Sequence, residues 1–294
     1  MTASFTKIGL IGRARHENSA ETLQRLLALL QERQSTVFIE PRLAKICPDC
    51  HATEAGREEI GERCDLAIVV GGDGSMLSAA RTMAKYGTPL LGVNRGRLGF
   101  LTDVYPDEIE ERVRQVLSGN FEREERFLLD VVVVRDGEVI GQADALNDVV
   151  VNSGTSAQMI EFDLFVDDTF VYRQRADGMI ISTPTGSTAY SLSGGGPIMH
   201  PSLDALVLVP MFPHALSSRP IVIDGNSRVR VMVPEVNGVH PPVTCDGQVN
   251  MSARPGDAVE VFKKPDRMTL IHPPGHDFYA SCRGKLGWGN PLVK

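Results

Sequence analysis

The first 120 positions alternate short apolar runs with helical periodicities. Phe5 to Ile11 is a mostly apolar run that closes at Gly12 and predicts a first strand. Asn18 and Glu21 have capping-box spacing, and Leu23, Leu26, Leu27 and Leu30 then fall on one helical face. Val37-Phe38-Ile39, before Pro41, predicts a second strand. Leu66 to Val70 is unbroken, as in strands buried on both faces of a parallel sheet. Ser75 to Tyr86 predicts a helix with Met76, Leu77, Ala80 and Met83 on one side, and Pro89 to Val93 a short strand. Pro106 suits a first helical position. Acidic residues follow it, then Ile109, Val113, Val116 and Leu117 on one face, up to Gly119. This alternation predicts an α/β domain over residues 1–120, with an open, mostly parallel sheet.

Beyond residue 120 the period changes to two. Leu128 to Val134 runs into Asp136-Gly137 and then Glu138 to Ile140, a hairpin pattern. Phe162, Leu164 and Val166 alternate with Glu161, Asp163 and Asp167, broken only by Phe165, and Asp167-Asp168 turns the chain into Phe170 to Tyr172. Val229, Val231 and Val233, then Val243 to Cys245 and Asp257 to Phe262, continue the strand signals. These predict an all-β domain over residues 121–274. Phe278, Cys282 and Leu286 return to helical spacing, which predicts a tail, 275–294, that packs back on the first domain.

Composition narrows the class without naming a chemistry. Apolar residues at 42% and charged ones at 23% are those of a soluble globular chain. A net charge of −7 argues against a nucleic-acid surface. It leaves room for an anionic small molecule held by backbone N–H groups and a few arginines. No apolar stretch reaches the length of a membrane span, and the opening MTASFTKIGLIGR lacks the basic start and apolar core of a signal peptide. A cytoplasmic protein that binds neither membrane nor nucleic acid is expected. Five cysteines fit reduced thiols. Cys47-Pro48-Asp49-Cys50-His51 matches haem-attachment spacing, but without an export signal it reads as an ordinary loop.

Two glycine-rich segments carry the candidate chemistry: LAIVVGGDGSM, residues 66–76, and STPTGSTAYSLSGGGP, residues 182–197. Neither is a P-loop or a G-x-G-x-x-G fingerprint, so no P-loop lysine is available. Both offer backbone N–H groups on tight turns, and the second adds the hydroxyls of Thr183, Thr185, Ser187, Thr188, Ser191 and Ser193 as donors for phosphate or ribose oxygens. On pattern alone the first is equally a strand-to-helix turn capped by Asp73 or Ser75, and the second a Ser/Gly loop. Asn147-Asp148 is either a turn or a carboxamide–carboxylate pair for ribose hydroxyls. Asp177-Gly178 and Asp246-Gly247-Gln248 read as turns when taken singly.

Taken together, GGDGSML (71–77), NRGRLGFL (94–101), ALNDVV (145–150), DGMIISTPTGSTAYSLSGGGP (177–197) and CDGQ (245–248) resemble the ATP-dependent NAD kinase family of bacterial type, in order and spacing. GGDG alone also occurs in phosphofructokinases and lipid kinases, whereas TPTGSTAYSLS is specific. The resemblance implies the two-domain layout of NAD kinases and diacylglycerol kinases, with an α/β N-terminal and an all-β C-terminal domain. It implies transfer of the γ-phosphoryl of ATP to the 2′-hydroxyl of the adenosine ribose of NAD, with a divalent cation, Mg²⁺, accompanying ATP. Asp73 matches the proton acceptor, and Gly74 follows it at the ribose and diphosphate. Asn147 and Asp148 match the pair near the ribose and nicotinamide. Thr188, Ala189, Tyr190, Ser191, Leu192 and Ser193 match the adenine-binding stretch. Arg175, Asp177 and Gln248 match further contacts, and Gln158 stands where relatives carry histidine. A homo-oligomer, dimer or tetramer, is also implied. The rival readings are a lipid kinase, a non-catalytic NAD or NADP sensor and a sugar kinase of phosphofructokinase type.

Overall fold

The computed structural model describes residues 5–12, 18–48, 50–94, 99–154 and 158–288, which fall into two compact units. Unit 1 takes the chain up to Glu125 and again from Arg267; unit 2 is Arg126–Asp266. By sequence, unit 2 is therefore an insertion into unit 1.

Unit 1 alternates strand and helix: β1 (Lys7–Gly12), α1 (Asn18–Glu32), β2 (Thr36–Ile39), α2 (Pro41–Ala44), β3 (Thr53–Glu54), α3 (Arg57–Arg63), β4 (Leu66–Val70), α4 (Asp73–Met83), β5 (Leu90–Val93) and α5 (Ile109–Leu117). The strands are parallel, in the order β5-β4-β1-β2-β3. The side chain of Asn18 and residues 95–98 of NRGRLGFL lie outside the described residues. Ile8, Leu10, Ile68 and Val70 pack with Leu23, Leu26 and Leu30 of α1 and with Ile109, Val113 and Val116 of α5. The other face brings α3 so close that a Cβ on Gly9 would lie 2.3 Å from Ile60 Cγ2. Burial on both faces is why these strands read as continuous apolar runs.

Unit 2 has β6 (Glu122–Arg135, entering from unit 1), β7 (Glu138–Ala145), β8 (Asp148–Asn152), β9 (Ile160–Val166), β10 (Thr169–Ala176), β11 (Gly178–Ser182), α6 (Tyr190–Ser193), β12 (Ala205–Met211), β13 (Ile221–Asp224), β14 (Val229–Met232), β15 (Pro242–Cys245), β16 (Val249–Ser252) and the first half of β17 (Ala258–His272). One sheet runs β13-β12-β11-β8-β15-β16, entirely antiparallel. It packs through Val149, Val151, Met179, Ile181, Leu206 and Leu208 on strands that include β6, β9, β14 and β17. The hairpin turns have the backbone their sequences demand. Asp136 and Gly137 at φ 50° and 83°, and Asp167 and Asp168 at 49° and 61°, are left-handed pairs that match strand twist.

The second half of β17 pairs in parallel with β5, Leu270 opposite Leu90, and α7 (Phe278–Leu286) follows. Cys282 of α7 is fully buried, Asp277 caps the helix by accepting from Tyr279 N, and Gly287 closes it at φ 67°. No described helix is long and apolar enough to cross a membrane.

Candidate functional site

In an open parallel sheet, ligands approach the carboxyl ends of the strands. Here those ends hold two sets of polar contacts. Gly12, ending β1, donates to Glu40 after β2 (2.8 Å), and Glu40 pairs with Arg57 (2.6 Å). Asn94, just after β5, is buried and donates to Thr102 (3.2 Å).

Asp73 follows β4 as the first residue of α4, and its side chain does not cap that helix. The carboxylate turns instead to the 99–102 loop. Oδ2 accepts from Phe100 N (3.0 Å) and Oδ1 from Leu101 N (3.1 Å). Lys285 of α7 adds its ammonium to Oδ2 at 3.1 Å, and Asp73 remains partly open to solvent. Gly99 completes the cradle, for a Cβ there would lie 2.2 Å from both Asp73 Oδ1 and Thr102 Oγ1. The capping alternatives for this turn therefore give way to a carboxylate held by backbone N–H groups. Ser75, the other capping candidate, is buried inside the helix.

Unit 2 gathers three of the sequence clusters at one end of β11. Asp246 sits at φ 53°, and its carboxylate accepts from Leu146 N (3.0 Å) and Asn147 N (2.7 Å). Thr183 Oγ1 donates to Leu146 O (2.6 Å), and Thr183 N to Asn147 O (2.9 Å). A Cβ on Gly186 would come within 2.2 Å of Asn147 O. The Asn147-Asp148 turn is thus clamped from both sides. Burial pushes the Asp148 carboxyl up to about 7, with the Asp246 charge adding to the effect. Asp246 acts on this cluster although its sequence reads only as a turn. Its signal was the unusual left-handed backbone of a non-glycine residue, which the sequence does not print.

The hydroxyl-rich stretch needs correcting. Thr183 is buried with its hydroxyl bonded as above. Ser187 Oγ donates to Pro184 O (2.7 Å) and accepts from Met199 N (3.0 Å), and Thr185 Oγ1 accepts from Arg126 (3.1 Å). Thr183 and Ser187 thus spend their O–H donors on backbone carbonyls, because a buried turn must satisfy its own backbone, while Thr185 takes a guanidinium N–H. Thr188, Ala189 and Leu192 are half-buried, Tyr190 and Ser193 are exposed, and Ser191 Oγ is buried without a partner among the described residues.

Arg175, Asp177 and Gln158 lie elsewhere. Asp148 pairs with Ser182 at one end of β11 and Asn152 with Gly178 at the other. Four strand steps, roughly 13 Å, separate those ends. Asp177 sits beyond the Gly178 end, its N–H bonded to Met211 O (2.9 Å). Arg175 and Gln158 share a cleft of about 520 Å³ with Glu161 and Asn237. Gln248 lies in the β15–β16 turn next to Gly247, at φ 61°, and donates its N–H to Cys245 O (2.9 Å).

Among the described residues one set of metal-type donors converges: Asp103, His272 and His276. His272 sits between carboxylates, Nδ1 on Asp103 and Nε2 3.0 Å from Glu124, and stacks on His276 with centroids 3.8 Å apart. Burial would lower the His272 imidazole, but the hydrogen bonds and charges of Asp103 and Glu124 prevail and raise it to about 9. Burial would raise Asp103, yet the two histidines hold it well below the usual carboxylate range. The set is an ion cluster tying the end of β17 to its neighbours. Cys47, Cys50 and His51 form no such group, and Asp49 lies outside the described residues.

The geometry gives an α/β unit with a carboxylate at its strand ends and a β-rich unit with a clamped Asn–Asp turn. The comparisons carry this to a family. The ATP-NAD kinase N-terminal domain model matches residues 8–121 and the ATP-NAD kinase C-terminal domain model 146–273. NAD kinases of Chromohalobacter salexigens and Teredinibacter turnerae are 56% and 55% identical over 288 and 287 residues, 98% of each chain compared. Yeast NADH kinase complexed with NADH has a TM-score of 0.90 at 25% identity, over 99% of this chain and 91% of that one. An Archaeoglobus fulgidus NAD kinase in complex with ATP shares the fold, with a TM-score of 0.70 at 24% identity, over 96% and 97%. The chain belongs to the NAD kinase family and is an enzyme of that family.

Proposed function

We propose that Asp73 is the proton acceptor in the transfer of the γ-phosphoryl of ATP to the 2′-hydroxyl of the adenosine ribose of NAD. The observation that carries this reading is the cradle. Two backbone N–H groups and a glycine without room for a side chain hold the carboxylate at the carboxyl end of β4 while leaving it partly exposed. In the step, the O2′–Pγ bond forms as the bond from Pγ to the bridging oxygen breaks. The 2′-hydroxyl proton passes to Asp73, and ADP leaves with the electron pair.

Mg²⁺ enters as part of the ATP substrate and offsets phosphate charge. Asp103, His272 and His276 do not suit it, since Mg²⁺ prefers oxygen ligands and the His272 nitrogens are already engaged with carboxylates.

On this reading Asn147 and Asp148 bind the ribose, with Gly74 and Gln248 contacting the dinucleotide and Thr188 to Ser193 the adenine. Arg175, Asp177 and Gln158 sit at the far end of β11, which supports a homo-oligomer in which a second copy contributes them. Light scattering on the eluting protein tests that arrangement.

For the reaction itself, Asp73→Asn is assayed for NADP with ATP, Mg²⁺ and NAD. It folds and binds NAD, with turnover lower by about 10²–10⁴. Near-normal turnover would overturn the assignment.

A further inference from the structure

No P-loop lysine is present in the sequence, yet a lysine ammonium sits on the proposed base. It comes from the other end of unit 1. Lys285 lies in the last turn of α7, 212 residues after Asp73, and places Nζ 3.1 Å from Oδ2. The same ammonium lies 4.3 Å from the centroid of Phe100, the residue whose N–H meets that same oxygen. Carboxylate, backbone donor, aromatic face and ammonium thus form one closed arrangement. The helix that supplies Lys285 is fixed by the Asp277 cap, the buried Cys282 and the Gly287 stop.

We infer that Lys285 is a positioning residue for the phosphoryl-transfer reaction. It fixes the orientation of the Asp73 carboxylate, so that Oδ1 and the open lone pairs face the incoming hydroxyl. This rests on Asp73 being the proton acceptor. The two N–H bonds hold one carboxylate oxygen each; the ammonium adds a third restraint, on Oδ2. An ammonium has three donors, and the Asp73 bond occupies one of them. A lysine acting this way affects turnover through Asp73 and leaves dinucleotide binding largely alone.

A double-mutant cycle on the full-length enzyme tests this. Lys285→Met keeps the stem over Phe100 and removes the charge. We expect it to lower kcat by about 30-fold with KM for NAD changed less than about threefold, the signature of a lost turnover-specific interaction. Lys285→Arg, which retains the charge, recovers most of that loss. In an Asp73→Asn background Lys285→Met costs less than about threefold, because the two residues act as a unit.

Turnover of Lys285→Met within threefold of wild type overturns the inference and leaves the role of Asp73 intact. A 30-fold loss that persists undiminished in the Asp73→Asn background also overturns it. Near-normal turnover of Asp73→Asn alone defeats the proton-acceptor reading instead. Should Lys285→Met melt early, Lys285→Gln carries the same expectations.

Discussion

GGDGS in unit 1 and STPTGSTAYS in unit 2 look alike in sequence, being small, polar and glycine-rich after an apolar strand. They differ in where their polar atoms go. The first turn gathers donors from a distant loop onto one partly exposed carboxylate. The second spends the Thr183 and Ser187 hydroxyls on neighbouring backbone groups, and presents mainly Thr188, Tyr190 and Ser193 outward. A run rich in hydroxyls is therefore not a count of ligand donors. Backbone satisfaction claims the buried ones first.

The sharpest break of this comparison is Gly99→Ala. Its methyl would need the space of Asp73 Oδ1 and Thr102 Oγ1, each 2.2 Å away, so the cradle must open. Turnover should fall by about 10²-fold, comparable with misplacing a reacting group by an ångström. A variant that keeps its wild-type rate would separate the cradle from the chemistry.

Unit 2 should respond in stability. Asp148 has its pKa raised from 3.8 to about 7, so wild-type stability declines as pH rises through that interval and levels off above it. Asp148→Asn removes that cost. Its stability should match wild type near pH 4 and exceed it at pH 8, by at most about 4 kcal/mol, while turnover falls. Equal melting at both pH values would show that burial does not charge the folded state with this penalty.

The ion cluster in unit 1 gives a decline of the same sign at higher pH. His272 is raised from 6.5 to about 9, so its contribution is complete below about pH 6.5 and is lost as pH rises through about 9. Asp103, held low, contributes above its ordinary value and loses that contribution as pH falls. The tether is strongest between about pH 4 and 6.5. His272→Gln should flatten the melting profile from pH 6 to 9, an effect of at most about 3 kcal/mol. An unchanged slope would remove His272 as its source.

The smallest effect separates inner from outer hydroxyls. Thr183→Val leaves a buried carbonyl unpaired and should cost about 1–3 kcal/mol of stability. Thr188→Ala should move the melting temperature little while raising KM. Denaturation and kinetics on the pair check both, and equal destabilisation would contradict the division.

Much of the fold was legible because periodicity reports burial. Leu66–Val70 is a strand from end to end, and Asp136-Gly137 and Asp167-Asp168 turn as their residue types demand. The elements at Pro41–Ala44 and Thr53–Glu54 are too short to carry a period, and they escaped notice. At the site, the motif residues were visible one by one. What held them was not, because Gly99, Phe100 and Leu101 act on Asp73 through backbone or through the absence of a side chain. Lys285 and Asp246 reach their partners across 212 and about 100 residues. Sequence spacing has no term for such encounters.

The late arrival of β17 also orders the birth of the molecule. As the chain leaves the ribosome, β1 to β5 emerge first; Val104 covers the Val93 end of the outer side of β5, but Leu90 and Leu91 have no strand there until Leu270 and Ile271 are made. Until then the nascent sheet ends on a half-open apolar edge of the kind that recruits foreign strands. All of unit 2 must be synthesised before that edge is closed. A chain cut at Asp266 would carry every residue of unit 2 and the whole Asp73 turn, and still leave that edge open and Asp73 without Lys285.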